Sequence, residues 1–191
     1  GGSSPNKRAE KRYCEIACER LGATCRNYGV SGISISSTSY QSPTGAISLR
    51  YSSMDAAADM VVIAGGTNDY GTGVALGTIA DTTDVSFYGA LHVLCSGLCE
   101  KYPGKRIVFL TPFHRSSEAA NKVGATLAQY KQAIYDVARD EFGFAVLDGW
   151  TVGLSPKNAK VKAEYIVDGV HPNPIGHELI GANLARMLNA I

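Results

Sequence analysis

Met60-Val61-Val62-Ile63-Ala64-Gly65-Gly66-Thr67-Asn68-Asp69 is the stretch on which the fold is decided. Five apolar residues, three of them β-branched, end abruptly in two glycines. That pattern reads as a buried strand that stops at a sharp turn. Residues that follow such a strand are polar and small, and Asn68 and Asp69 stand where the chain leaves the sheet.

Working outward, the same alternation of strand and helix recurs. Residues 8–21 read as a helix with Tyr13, Ile16, Ala17 and Leu21 on one face. Thr24–Tyr28 reads as a short strand that runs into the turn Gly29-Val30-Ser31-Gly32. A loop rich in Ser, Gly and Thr spans 31–45, and a short helix is expected near Ile47–Met54. Beyond a Gly- and Thr-rich stretch at 65–84, Phe87, Ala90, Leu91, Leu94, Cys95 and Leu98 make one helical stripe. Arg106–Leu110 is a strand halted by Thr111-Pro112. Val123, Leu127, Tyr130, Ile134 and Val137 mark a further helix, and Phe144–Leu147 a further strand. The last helix starts at Asn173-Pro174, an N-cap followed by a proline that suits the first turn. Its core face is Ile180, Leu184, Met187, Leu188 and Ile191. Apolar strands separated by amphipathic helices predict a three-layer α/β/α sandwich on a parallel sheet, in one domain spanning 1–191.

Bulk properties narrow the function. The 191 residues are 45% hydrophobic and 18% charged, with a formal net charge of +1. Such a chain buries a core, and it carries no basic footprint for nucleic acid. Its longest apolar run is too short for a membrane span. Five cysteines, Cys14, Cys18, Cys25, Cys95 and Cys99, are an odd number. They read as small buried thiols, with a zinc site or a regulatory disulfide as alternatives. The odd count favours a cytoplasmic setting, and secretion stays open. Oligomeric state is not legible.

In open parallel sheets, ligands bind beyond the carboxyl ends of the strands. Three polar clusters fall there. In Asp168-Gly169-Val170-His171 a carboxylate three residues before a histidine can hold one imidazole nitrogen and leave the other as a base. A solvated loop histidine is the alternative. Asn68 can point its amide into a site as an oxyanion donor, or belong to a plain Gly-Asn-Asp turn. Gly32 can present its N–H to a substrate, or be an ordinary loop glycine.

Taken together and in this order, Gly29-Val30-Ser31-Gly32, Gly66-Thr67-Asn68-Asp69 and Asp168-Gly169-Val170-His171 resemble blocks of the SGNH (GDSL-like) hydrolase family, with its flavodoxin-like fold. The resemblance covers essentially the whole chain. It implies a serine esterase that works through an acyl-enzyme without metal or cofactor. His171 would be the general base, Asp168 its orienting partner, and Asn68 with the Gly32 N–H the oxyanion hole. Its substrates would be small esters, including carbohydrate-linked acetyl groups.

The family's first block is Gly-Asp-Ser after the first strand. Here the chain begins Gly1-Gly2-Ser3-Ser4, so the block's Asp is replaced by Gly2 and no strand precedes it. The expected first strand is missing ahead of the block. Ser3 is in register as the nucleophile. Ser4 in its place, or no competent nucleophile, are the alternatives, the last if Gly-Gly-Ser-Ser is an expression-vector remnant. A catalytically inactive binding module on the same fold is therefore the second functional reading. Among other residues, Asp69 is expected to stabilise the loop around Asn68. His114 could line a pocket or be solvated, His92 is expected to be structural, and His177 exposed. Tyr70, Trp150 and Tyr165 are pocket walls or core.

Overall fold

The computed structural model describes residues 9–39 and 45–191. Ser3, Ser4 and the glycines before them lie outside the described residues. In chain order the elements are α1 (Tyr13–Arg20), α2 (Ile47–Arg50) with a 3₁₀ turn (Tyr51–Ser53), β1 (Met60–Ala64), α3 (Thr67–Thr72), α4 (Phe87–Lys101), β2 (Arg106–Leu110), α5 (Leu127–Ile134) running on as a π-helical segment (Tyr135–Glu141), β3 (Ala145–Leu147), a 3₁₀ turn (Gly149–Thr151), α6 (Ala159–Tyr165) and α7 (Pro174–Asn189). They group into two compact units. One holds the N-terminal residues to Gly29, Phe113–Ser117 and Asp148–Ile191; the other holds Val30–Pro112 and Glu118–Leu147.

The second unit contains a three-stranded parallel sheet in the order β1-β2-β3. Met60 pairs with Arg106 and Ala64 with Leu110, while Val108 pairs with Ala145. Strand β2 is central and is buried from Ile107 through Leu110, as a strand covered on both faces must be. On β1 only alternate residues, Val61 and Ile63, are buried. The expected stripe of α4 is fully enclosed: Phe87, Ala90, Leu91, Leu94, Cys95 and Leu98 are all at 0% exposure. Ser86 caps this helix by accepting from the Gly89 N–H. Helix α5 begins with a reciprocal cap in which Gln129 Oε1 accepts the Thr126 N–H at 2.8 Å. That cap starts the helix after Val123, which is exposed, so the stripe begins at Leu127.

In the first unit α1 packs along α7, and Val152, Leu154 and Ile180 form a core against which Tyr13, Phe113 and Tyr165 lie. Asn173 accepts the Gly176 N–H at 2.9 Å, and Pro174 fills the first turn of α7. Ile180, Leu184 and Leu188 are buried as expected, but Ile191 lies past the end of the helix and is exposed.

Four expectations are corrected. Thr24–Tyr28 forms no strand: the segment is largely exposed and has no ladder partner among the described residues. The Gly- and Thr-rich stretch at 65–84, for which no helix is expected, contains α3, and a further helix, α6, precedes the Asp168 turn. Asn158 starts α6 by accepting the N–H groups of Lys160 and Val161. The cysteines are not uniformly buried. Cys95 is enclosed, Cys99 is exposed, and Cys14, Cys18 and Cys25 are half-buried; all are free thiols. Burial, followed by the nearby Cys25, pushes the Cys14 thiol up to about 11. Finally, His177 is not simply exposed. Its Nδ1 accepts the Tyr13 N–H at 3.2 Å, and its ring stacks on Tyr13. It thus caps a free N–H at the start of α1, and burial lowers its pKa. Among the described residues no helix is long and apolar enough to cross a membrane.

Candidate active site

The Asp168 turn is built locally. Asp168 Oδ1 accepts the backbone N–H groups of Val170, at 3.0 Å, and His171, at 2.9 Å, which folds the chain back on itself. The other carboxylate oxygen, Oδ2, lies 2.8 Å from His171 Nδ1. With Asp168 ionised, Nδ1 is the donor, so in the neutral ring the proton sits there and Nε2 carries the lone pair. The His171 side chain is 73% exposed, which leaves that nitrogen reachable. Burial acts to raise the Asp168 pKa, but the His171 N–H, the His171 ring and the Val170 N–H outweigh it and hold the carboxyl at about 2.

The ends of the turn are anchored. An antiparallel bridge joins Ile166 to Pro172, and Val167 N–H donates to the His171 carbonyl at 2.8 Å. Asn173 donates from Nδ2 to the Glu164 carbonyl, which ties the end of α6 to the start of α7. From the side, the Ser116 N–H donates to the Gly169 carbonyl at 2.8 Å. A Cβ on Gly169 would stand 2.2 Å from Ser116 Oγ, so only glycine fits against that loop. In the same loop the half-buried His114 stacks on Trp150 with centroids 4.4 Å apart.

The other two clusters lie in the sheet-bearing unit. Gly66 caps α3 with φ 98°, and a Cβ there would also stand 3.1 Å from Pro112. That conformation turns the chain from β1 into α3 and brings Asn68 and Asp69 alongside the 32–36 loop. Asn68 donates from Nδ2 to the Ile33 carbonyl at 2.8 Å. An amide nitrogen carries two hydrogens, so a second donor remains on Asn68. Gly32 adopts φ 77° within a turn closed by the Ile33 N–H donating to the Val30 carbonyl. Among the described residues no acceptor is found for the Gly32 N–H. Asp69 is fully buried and accepts the Ile35 and Ser36 N–H groups, each at 2.9 Å. Burial raises its pKa to about 6, against the lowering effect of those donors. Tyr70, beside it, is buried and donates to the Ala119 carbonyl, so it belongs to the core.

Of the expected site residues, the structure joins Asp168 to His171 and sets Asn68 beside the Gly32 loop. His92 is structural as expected, bridging the Asp81 carbonyl and Glu141, each at 2.8 Å. What reading the residues one by one misses is the framing of the Asp168 turn by Ser116 and the capping role of His177. Their partners lie far along the chain, and no local pattern signals them. Among the described residues no group of three or more His, Cys, Asp or Glu side chains could hold a metal ion.

A parallel sheet flanked by helices, with polar turns of this kind, places the chain in the α/β class shared with GDSL-like hydrolases. The chain belongs to the GDSL-like lipase/acylhydrolase family, which it matches over residues 1–179. It is similar to the isoamyl acetate-hydrolyzing esterase 1 homolog of Mus musculus, at 32% identity over 99 residues, 46% of this chain and 38% of the mouse protein. The match thus spans well under half of that relative. Among solved structures, it resembles a structural-genomics protein from Lactobacillus plantarum, with a TM-score of 0.86 and 28% identity, covering 98% of this chain and 91% of the other. The M. smegmatis aryl esterase shares the fold, with a TM-score of 0.62 at 16% identity over 100% of this chain and 90% of that one.

Proposed function

We propose that the protein is a serine esterase that cleaves small carboxylic esters through an acyl-enzyme. The observation that carries this reading is the 2.8 Å contact between Asp168 Oδ2 and His171 Nδ1, which leaves the exposed imidazole with a basic Nε2. Family membership supports the same reaction class.

In the proposed reaction Ser3 Oγ attacks the acyl carbonyl and its proton passes to His171 Nε2. The carbonyl oxygen becomes an oxyanion, held by the second Asn68 amide hydrogen and the Gly32 N–H. As the intermediate collapses, the ester C–O bond breaks and the alcohol leaves with the proton from His171. Water then adds to the acyl-enzyme, giving its proton to Nε2. The carboxylic acid departs, and the proton returns to Ser3. Asp168 remains ionised throughout and stabilises the imidazolium formed in each half.

Acetyl esters are the proposed substrates, on carbohydrates or on short alcohols. The similarity to the mouse homolog of an isoamyl acetate-hydrolyzing esterase supports the acetyl half of that reading. The decisive experiment is labelling with a fluorophosphonate followed by peptide mapping. An adduct on Ser3 that is lost in His171→Ala supports the whole assignment. An adduct on another serine keeps the reaction class and moves the nucleophile. Folded protein with neither adduct nor turnover of 4-nitrophenyl acetate overturns the esterase reading and favours a binding module.

A further inference from the structure

We infer that Asp69 is the positioning residue of the oxyanion hole: its carboxylate holds the 32–36 loop in the register that lets Asn68 and the Gly32 N–H act on one acyl oxygen. The inference rests on the reading of Asn68 and Gly32 as oxyanion donors.

Two consecutive side chains on α3 grip one short loop. Asn68 donates to the Ile33 carbonyl, while Asp69 accepts at Oδ2 from Ile35 N–H and at Oδ1 from Ser36 N–H. The rest of that loop's backbone is tied elsewhere. The Ile47 N–H donates to the Ser34 carbonyl, and the Ser48 N–H to the Ile35 carbonyl. Further along, Ser36 Oγ donates to the Asp84 carbonyl at 2.7 Å. Together with the Asn68–Ile33 bond, the two N–H groups on Asp69 therefore fix the loop against α3, and they set the Ile33 carbonyl to which the Asn68 amide is bound.

A carboxylate is the group this geometry requires. Oδ2 receives the Ile35 N–H and Oδ1 the Ser36 N–H, so both oxygens hold the loop, and the residue is wholly enclosed. An amide of the same size offers one oxygen only. Its NH₂ would confront the other N–H donor to donor, and a buried donor without an acceptor is costly. Removing the negative charge therefore leaves the shape of the side chain in place but loosens one end of the loop. Preorganised donors lose their effect on a developing oxyanion when their position is no longer set in advance, whereas ground-state binding changes little.

The test is Asp69→Asn, Asn68→Ala and the double variant, on the full chain, with 4-nitrophenyl acetate as probe and circular dichroism to verify folding. Loss of an oxyanion donor costs about 10²–10³ in kcat. Asp69→Asn is expected to lower kcat by about 10- to 100-fold with KM within about threefold, and the double variant to lose less than the product of the two single losses, because part of the Asp69 effect runs through Asn68 and the rest through Gly32. Wild-type kcat in a folded Asp69→Asn, or losses that multiply in the double variant, overturns the positioning role while Asn68→Ala still reports on the oxyanion reading. Wild-type kcat in Asn68→Ala overturns that reading, and the inference with it. Should Asp69→Asn fail to fold, NMR titration of the His171→Ala protein decides. The Gly32 amide and Asn68 side-chain signals must then move with the same midpoint as the Ile35 and Ser36 amides; independent behaviour overturns the inference.

Discussion

Asp168 and Asp69 are the same residue in nearly the same local role, yet they titrate in opposite directions. Each accepts two backbone N–H groups, Asp168 those of Val170 and His171, Asp69 those of Ile35 and Ser36. Asp168 is about half exposed, adds the His171 ring, and is held at about 2. Asp69 is sealed from water, and burial pushes it up to about 6 despite its donors. Hydrogen bonds to a carboxylate favour its charged form, but those that Asp69 receives from Ser36, Ile35 and the backbone of its own turn do not offset full loss of solvent. The comparison separates two tasks. One turn keeps a carboxylate charged beside a histidine; the other uses a carboxylate to hold backbone in place.

The sharpest way to break this division is at the Asp168–His171 turn. His171→Ala is expected to lower kcat/KM for 4-nitrophenyl acetate by about 10⁴-fold or more. Its unfolding midpoint in urea should stay close to wild type, because the ring is exposed. Activity within tenfold of wild type would remove His171 from the mechanism. Asn68→Ala should cost less, about 10²–10³ in kcat with a small change in KM. Steady-state kinetics on both variants rank the two turns directly.

Stability measurements probe the sheet-bearing turn. Gly66→Ala must place an L side chain at φ 98° against Pro112, and a loss of about 1–2 kcal/mol or more is expected in denaturant titration. Equal stability would mean that the turn adjusts more freely than its packing indicates. In the other unit, Asn173→Ala removes the cap on α7 and should cost about 1 kcal/mol.

The smallest effect is a change of slope with pH. Because Asp69 has a raised pKa in the folded protein, the folded state binds more protons than the unfolded chain between about 4 and 6. Its contribution to stability is therefore full at the acid side of that window and is lost as pH rises through about 6. Asp168 acts with the opposite sign: its contribution is present above the ordinary carboxylate range and is lost as pH falls toward about 2. Urea unfolding at intervals from pH 3 to 7 should show Asp69→Asn flattening the upper window and Asp168→Asn the lower. The reverse assignment would contradict the comparison.

How far the sequence could be read follows from the range of the interactions. Met60–Ala64 and Arg106–Leu110 form strands with the expected bounds, since a run of apolar residues ending in Gly-Gly or Thr-Pro carries its own stop signal. Asn173-Pro174 starts α7 where a cap and a proline say it should. Thr24–Tyr28 failed as a strand because a strand needs a partner, which five residues cannot supply. Helix α6 is not legible in the sequence because Ala159–Tyr165 has a cap but little apolar periodicity, and none of its residues is fully buried.

By itself the sequence determined what is local: the family, through short ordered motifs, and the pairing of Asp168 with His171, which lie within one four-residue turn and need no distant help. Tertiary structure decided what depends on distant partners. Asp69 became a buried anchor because α3 brings it to residues 33 and 34 positions earlier, and water was excluded around it. His177 became a cap because α1 runs along α7, across 164 residues of chain. A side chain's solvent and its remote partners are set only when the elements pack, and those two quantities determine its charge and its task.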